Sequence, residues 1–146
     1  MCMSTYIGTT SEQDLGQFNS DKIRFIRSHP NSGEERALKY KNVWFLTDPH
    51  ESCSCGFRYV EFPNVEHLGF GVPEDWSPED EESIKATHQT YAVIDVLLAG
   101  GHKVESISFW IDSERTSIDE IVSLESVPVE AFRFFDGYRF EYHVNA

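Results

Sequence analysis

The fold is decided by residues 77–111, which read SPEDEESIKATHQTYAVIDVLLAGGHKVESISFWI. Ser77 is a favoured N-cap residue, Pro78 suits the first helical turn, and the acidic residues that follow favour the positive end of the helix dipole. Apolar residues then recur at helical spacing, and Gly100-Gly101 offers the left-handed conformation that ends many helices. The pattern therefore predicts one long α-helix over about 78–99.

Strand patterns lie on both sides of this helix. Residues 2–9 and 104–111 alternate between apolar and polar side chains, and residues 22–27 form a shorter segment of the same kind. Residues 43–46 are apolar on both faces, which is typical of a central strand. We predict an α+β fold in which an antiparallel or mixed β-sheet packs against the long helix.

Three connections between these elements are predicted from turn and capping signals. A proline separates the strand at 43–46 from a second strand at 56–62, which predicts a hairpin whose loop holds two cysteines. Residues 117–124 begin with a capping box and predict a short helix. Asp136-Gly137 predicts the turn of a C-terminal β-hairpin, with aromatic residues of both strands on one face.

The composition sets the chemical class of the surface. The 146 residues carry 25 acidic and 12 basic side chains, so the net charge is −13. A field of this sign repels phosphate backbones and anionic lipids, so we expect neither nucleic-acid nor membrane binding. Because the N-terminus lacks a signal-peptide pattern and no apolar run could span a bilayer, we expect one domain over residues 1–146, located in the cytoplasm.

Two of the three cysteines lie in the segment HESCSCGF, residues 50–57. In a cytoplasm thiols stay reduced, which favours free thiols or metal ligands over a disulfide framework. Cysteines two positions apart project to the same side of an extended segment, and a histidine lies three residues before the first of them. The candidate metal ligands are Cys2, Cys53, Cys55 and His50, a tetrahedral donor set of the kind that binds zinc. Zinc is the one cofactor that the sequence suggests.

Other interpretations of the thiols stay open. Cys53 and Cys55 are also explained as small residues that pack in a tight loop, or as a redox pair activated by a neighbouring cation. Cys2 directly after Met1 matches the position of the nucleophile in class II glutamine amidotransferases, although 146 residues is short for that fold. No other catalytic or phosphate-binding motif is present, so an enzymatic function is disfavoured.

A second candidate site is the acidic stretch 74–82. It places six carboxylates around one tryptophan, and an aromatic side chain within a charged rim is a common anchor of protein interfaces. A solvated helix start explains the same residues. The predicted partner-binding residues are Glu74, Asp75, Trp76, Glu79, Asp80 and Glu82.

Short motifs in this chain resemble those of a group of small bacterial proteins. The resemblance is carried by Met1-Cys2-Met3 leading into Tyr6-Ile7-Gly8, by Cys53-Ser54-Cys55-Gly56-Phe57 and by an aromatic C-terminal strand. It implies no activity. It implies that the two cysteine-bearing segments belong to one feature and lie on neighbouring strands.

Charge, size and fold class are also similar to those of bacterial immunity proteins, which bind and neutralise basic toxin domains. We therefore expect a small acidic protein without enzymatic activity that binds a basic protein partner. The alternative is a metal-binding or redox protein that uses the thiolates of Cys2, Cys53 and Cys55. Neither the strand order nor the oligomeric state follows from the sequence.

Overall fold

The computed structural model describes residues 3–28, 38–49, 54–60, 81–110, 118–135 and 137–144. Within these ranges the chain forms eight strands and one α-helix. In chain order they are β1 (Met3–Thr9), β2 (Arg24–Ser28), β3 (Asn42–Thr47), β4 (Tyr59–Val60), α1 (Glu81–Ala99), β5 (Val104–Trp110), β6 (Ile118–Ser123), β7 (Phe134–Phe135) and β8 (Tyr138–His143). Short 3-10 turns cover Leu15–Phe18 and Leu124–Ser126.

Six of the strands form one mixed sheet in the order β2-β3-β1-β5-β8-β6. Neighbouring strands pair antiparallel except β8 and β6, which run parallel. The two short strands β4 and β7 form a separate parallel ladder, in which Tyr59 lies opposite Phe134. The predicted α+β class, with a mixed sheet and one long helix, is confirmed.

The helix α1 packs one side of its surface into the core and ends as its sequence predicts. Gly101 has a φ of 84°, and its N–H donates to Leu98 O at 3.0 Å while His102 N–H donates to Leu97 O at 3.1 Å. This pair of bonds satisfies carbonyls that the helix end would otherwise leave free. The predicted start at 78–80 lies outside the described residues. The part of the chain that is described contains no helix of the length and hydropathy that crossing a membrane requires.

The core lies between α1 and one face of the sheet. Ile7, Leu46 and Val104 from three neighbouring strands are at most 1% exposed, because period-2 alternation turns them to the same side. An aromatic group extends this core toward the C-terminus: Phe132 meets Tyr91 and Phe134 edge to face, with ring centroids 5.3 and 5.4 Å apart. Edge-to-face pairs of this kind add to the stability that burial supplies.

The predicted helix over 117–124 is wrong, because Ile118–Ser123 form β6 and the 3-10 turn Leu124–Ser126 follows. Val122 is fully buried opposite Tyr142 of β8, so a short β-branched segment gains more from the sheet than its capping box offers a helix. The predicted hairpin between 43–46 and 56–62 is also wrong. The strand β3 pairs with β1 and β2, whereas β4 pairs with β7.

The C-terminal hairpin is present as a tight reversal between β7 and β8. Gly137 has the positive φ, 80°, that the turn requires. The ladder partner of β7 is β4, so the reversal joins two sheets. The predicted aromatic face is confirmed for Phe132, Phe134, Phe140 and Tyr142, which are at most 2% exposed.

Candidate functional site

The segment that holds Cys55 lies against the start of β1. Met3 donates its backbone N–H to Cys55 Sγ at 3.2 Å, and Ser54 donates its backbone N–H to Met3 O at 2.9 Å. The hydroxyl of Ser54 accepts from Thr5 N–H at 2.9 Å and donates to Leu46 O. These bonds hold residues 54–55 against the paired strands β1 and β3.

Cys55 is the one predicted zinc ligand that the structure describes, and its residue is exposed. Cys2, His50 and Cys53 lie outside the described residues. Cys2 is joined to Met3 and Cys53 to Ser54, so each undescribed cysteine is a chain neighbour of the hydrogen-bonded pair. Within the described ranges no three His, Cys, Asp or Glu side chains are placed to hold a metal ion. The zinc site therefore stays a prediction.

The acidic stretch at the start of α1 is described only from residue 81 onward. Glu82 is exposed and forms an ion pair with Lys22, and the hydrogen bond from Lys22 to Glu82 raises the pKa of this lysine. Glu81 pairs with Lys85 at 2.9 Å, four residues along the helix. The chain therefore neutralises both carboxylates itself. The remaining predicted partner-binding residues lie outside the described ranges: Glu74, Asp75, Trp76, Glu79 and Asp80.

A charged cluster that the sequence analysis did not predict lies on the sheet face opposite α1. At its centre Glu105 of β5 is fully buried and pairs with Arg139 of β8, whose Nη2 and Nε lie 2.6 and 2.8 Å from Glu105 Oε1. The same carboxylate accepts the backbone N–H groups of Lys39 and Tyr40, the second at 2.6 Å. Such a pair tolerates burial because hydrogen bonds replace the lost water.

The glycine opposite Glu105 is part of this arrangement. Gly8 of β1 is the ladder partner of Glu105, and a Cβ atom at Gly8 would lie 2.6 Å from Glu105 Oε2. Any larger residue would displace the carboxylate from its donors. The position thus requires glycine for close approach, in addition to any role in ending the strand.

A second carboxylate, Glu141, extends the cluster toward solvent. It accepts from Arg139 Nη2 and from Tyr40 Oη, both at 3.1 Å, and lies 2.9 Å from His143 Nε2. The hydrogen bonds from His143 and Arg139 lower the pKa of Glu141 to about 2. Burial and the Glu141 hydrogen bond raise the pKa of Tyr40. Glu141 is thus a carboxylate, and Tyr40 a neutral phenol, throughout the neutral range.

Beside this cluster an open cavity of about 410 Å³ leads to the last strand of the sheet. Its lining residues come from β6, β8 and the segment before β3: Lys39, Asp119, Glu120, Ile121, Arg139 and Glu141. Ile121 is 63% exposed, and the side chain of Asp119 is 60% exposed at 3.9 Å from Arg139 Nη1. The side chains of β6 at the rim of the cavity are therefore accessible to solvent, whereas Arg139 at its base is buried.

Further carboxylates lie on β6, on the segment that follows it and on α1. We call Asp95, Asp119, Glu120, Glu125 and Glu130 the acidic edge. Burial raises the pKa of Tyr91, and the negative charges of the neighbouring Asp95 and Glu130 raise it further. The hydroxyl of Tyr91 donates to two carbonyls of the turn after β6, which places these charges beside that turn. In the described part of the chain no cation forms an ion pair with four of the five, Asp119 being the exception.

This arrangement is suited to holding charge in place. Both nitrogens of Arg139 that face Glu105 are occupied, and Glu141 is ionised well below neutral pH, so neither group is poised to exchange a proton there. The open carboxylates on β6 face a cavity that is wide enough for a side chain. Such a surface can bind a cationic group without reacting with it.

The sequence does contain a signal for the buried pair. Glu105 alternates with Ile107 and Phe109, so it falls on an apolar face of its strand, and a carboxylate there requires a cation from a neighbouring strand. Arg139 and Glu141 alternate in the same way along β8. No sequence pattern indicated the cavity, because the residues of β6 were predicted to form a helix.

Comparisons with protein-family models, with curated proteins and with solved structures find no match to this chain.

Proposed function

We propose that this protein is a small acidic binding protein that recognises a basic protein partner and performs no reaction of its own. The net charge of −13 gives the general field that would attract such a partner. The observation that carries the proposal is more local. The fold uses many of its own cations internally and leaves the acidic edge largely uncompensated.

The use of the cations can be followed residue by residue. Three arginines are at most 5% exposed, namely Arg58, Arg133 and Arg139. Three lysines form ion pairs with carboxylates of this chain, namely Lys22, Lys41 and Lys85. On the β6 side the acidic edge keeps most of its negative charge for a partner, and the exposed Ile121 lies beside it. Charge with a central apolar contact is typical of a protein interface.

The test is affinity capture from host lysate with quantitative mass spectrometry. We expect the wild-type protein to retain one basic protein at stoichiometric level, and Glu125→Lys with Glu130→Lys to lose it. The matched control is Glu12→Lys with Asp21→Lys, which makes the same change in charge on the β2 side and should retain the partner. If the control loses the partner equally, or no basic protein is retained, the proposal is wrong.

The same assay decides the role of the stretch 74–82. Glu79→Lys with Glu82→Lys changes the charge equally at the start of α1. Because Glu82 already pairs with Lys22, we expect a smaller loss of partner than from the acidic edge. A larger loss would move the binding surface to the residues around Trp76.

The second candidate is a thiolate site for zinc or for redox chemistry, formed by Cys2, Cys53 and Cys55 with His50. The specific observation in its favour is the contact between the two cysteine-bearing segments, Met3 N–H to Cys55 Sγ and Ser54 N–H to Met3 O. Elemental analysis of zinc-supplemented protein should give one zinc per chain, which Cys55→Ser would lower. Absence of zinc, together with unchanged stability after alkylation of the cysteines, would reject both versions.

A further inference from the structure

We infer that the outer edge of β6 binds an extended, basic segment of the partner as an additional strand of the sheet. This inference rests on the proposed function and specifies its site and the conformation of the bound segment. It begins with the position of β6, which ends the six-stranded sheet. In the described part of the chain no strand pairs with the outer side of residues 119–122, which is where the added strand would form its backbone hydrogen bonds.

The exposed side chains of β6 specify what such a strand must carry. Asp119 and Ile121 lie two residues apart and thus on the same face, the face that bears the Glu105–Arg139 cluster. A lysine or arginine opposite them would lay its methylene groups on Ile121 and place its charge near Asp119 in the cavity. An alternating basic and apolar segment meets both requirements.

The electrostatics select this occupant against a second copy of the chain. Each copy carries a charge of −13, so two copies repel each other. At the opposite edge Arg27 is held by its own chain, because it stacks over Trp44 at 5.2 Å and donates to Asn42 at 2.8 Å. We therefore assign the β6 edge to a partner of opposite charge.

The cavity has a rigid floor that would support this contact. Arg139 is held by Glu105 and Glu141, so it neutralises the rim only in part. Asp119 lies 3.9 Å from the guanidinium, beyond a direct hydrogen bond, and keeps capacity for a second cation. The incoming side chain would therefore meet a carboxylate that has no cation within hydrogen-bonding distance.

The experiment uses isothermal titration calorimetry with a synthetic peptide of about eight residues, the length of a typical strand, that alternates lysine and valine. A second peptide has the same sequence with every other backbone nitrogen methylated, so it keeps the charge and loses the strand donors. We expect the first peptide to bind and the second to bind about tenfold more weakly or not at all. Equal binding of both would overturn the strand model.

Variants locate the site. Ile121→Lys should weaken the first peptide about tenfold, and Ile121→Thr, which keeps a strand-forming residue, should weaken it less. Asp21→Lys on the far side of the sheet is the charge-matched control for Asp119→Lys and should bind like wild type. If Ile121→Lys and Asp119→Lys bind normally, the inference fails.

The outcomes separate this inference from the proposed function. If the lysate partner depends on Glu125 and Glu130 but the peptide ignores β6, the basic partner stands and the added strand is rejected. If the partner does not depend on the acidic edge, the function itself is rejected. Sedimentation analysis that shows self-association lost in Ile121→Lys would assign the edge to a second copy and also overturn the inference.

Discussion

The two edges of the six-stranded sheet are protected in different ways. At the β2 edge the chain covers itself: Asn19 Oδ1 accepts the N–H of Phe25 at 2.6 Å, and Ser20 N–H donates to Ile23 O at 3.0 Å. At the β6 edge no described segment plays this part, and Ile121 is 63% exposed. Proteins protect edge strands either by covering them or by placing charge on them. This sheet uses one device at each end.

The difference has a functional consequence. A covered edge excludes every strand, whereas a charged edge excludes strands of its own sign and admits strands of the opposite sign. Asp119 and Glu120 on β6 therefore repel further copies of this acidic chain. A basic segment, as proposed for the partner, would meet attraction instead, which is the selectivity that the proposed function requires.

The largest effect on the free energy of unfolding is expected from the buried ion pair beside the β6 edge. Arg139→Ala would leave the buried Glu105 without its cation, and we expect a loss of about 3–5 kcal/mol in the free energy of unfolding. Urea denaturation measures it. The double variant Glu105→Leu with Arg139→Met removes both charges and should lose markedly less. An equal loss in the two variants would contradict the pairing.

The second largest effect on stability is expected from acid, which should destabilise the part of the sheet formed by β8 and β6. The pKa of Glu141 is depressed to about 2 in the folded protein, so its contribution is complete above its unfolded pKa near 4.5 and disappears as the pH falls toward 2. We expect Glu141→Gln to remove about 2 kcal/mol of pH-dependent stability in this window. Unfolding curves between pH 2 and about 6 measure it. A wild-type slope in the variant would exclude this carboxylate as the source.

A smaller effect is expected from uncovering the β2 edge. Asn19→Ala removes the acceptor for the Phe25 N–H and should cost about 1 kcal/mol. The Phe25 amide should also exchange with solvent faster than in wild type. Asn19→Asp keeps an acceptor and serves as the control. Unchanged exchange at Phe25 in Asn19→Ala would mean that the β2 edge is not held by this side chain.

The smallest effect on stability is expected at the open edge itself. Ile121→Lys replaces a largely exposed side chain and should change the free energy of unfolding by no more than about 0.5 kcal/mol. Thermal unfolding measures it. The variant should therefore lose peptide binding while keeping its fold. A large destabilisation would show that Ile121 is part of the core rather than of a binding surface.

The sequence predicted the parts of the fold that rest on local patterns. The long helix followed from spacing and from Gly101 as its terminator, β1 and β5 followed from their alternation of side chains, and β3 followed from a run that is apolar on both faces. It failed at β6, where a capping box indicates a helix but pairing with β8 decides the outcome. Strand pairing depends on residues far apart in the chain, which a local pattern does not contain.

The candidate site was predicted less well, for the same reason. Glu105 and Arg139 are 34 residues apart in sequence and meet only because β5 and β8 are neighbours in the sheet. The expected acidic surface was assigned to residues 74–82, whereas the acidic edge consists of Asp95 in α1 and four carboxylates that follow β5 in the chain. Cys55 was recognised from its motif alone, and its contact with Met3 is a tertiary contact between residues 52 positions apart that the motif does not contain.

Residue-resolved amide hydrogen exchange, with and without the lysine–valine peptide, tests the central claim most directly. In the free protein we expect the outward amides of residues 119–122 to exchange fast and the Phe25 amide to exchange slowly. With the peptide bound, protection should rise within Ile118–Ser123 and remain unchanged in Arg24–Ser28. Protection that appears elsewhere, or binding that leaves the amides of β6 unprotected, would contradict the account.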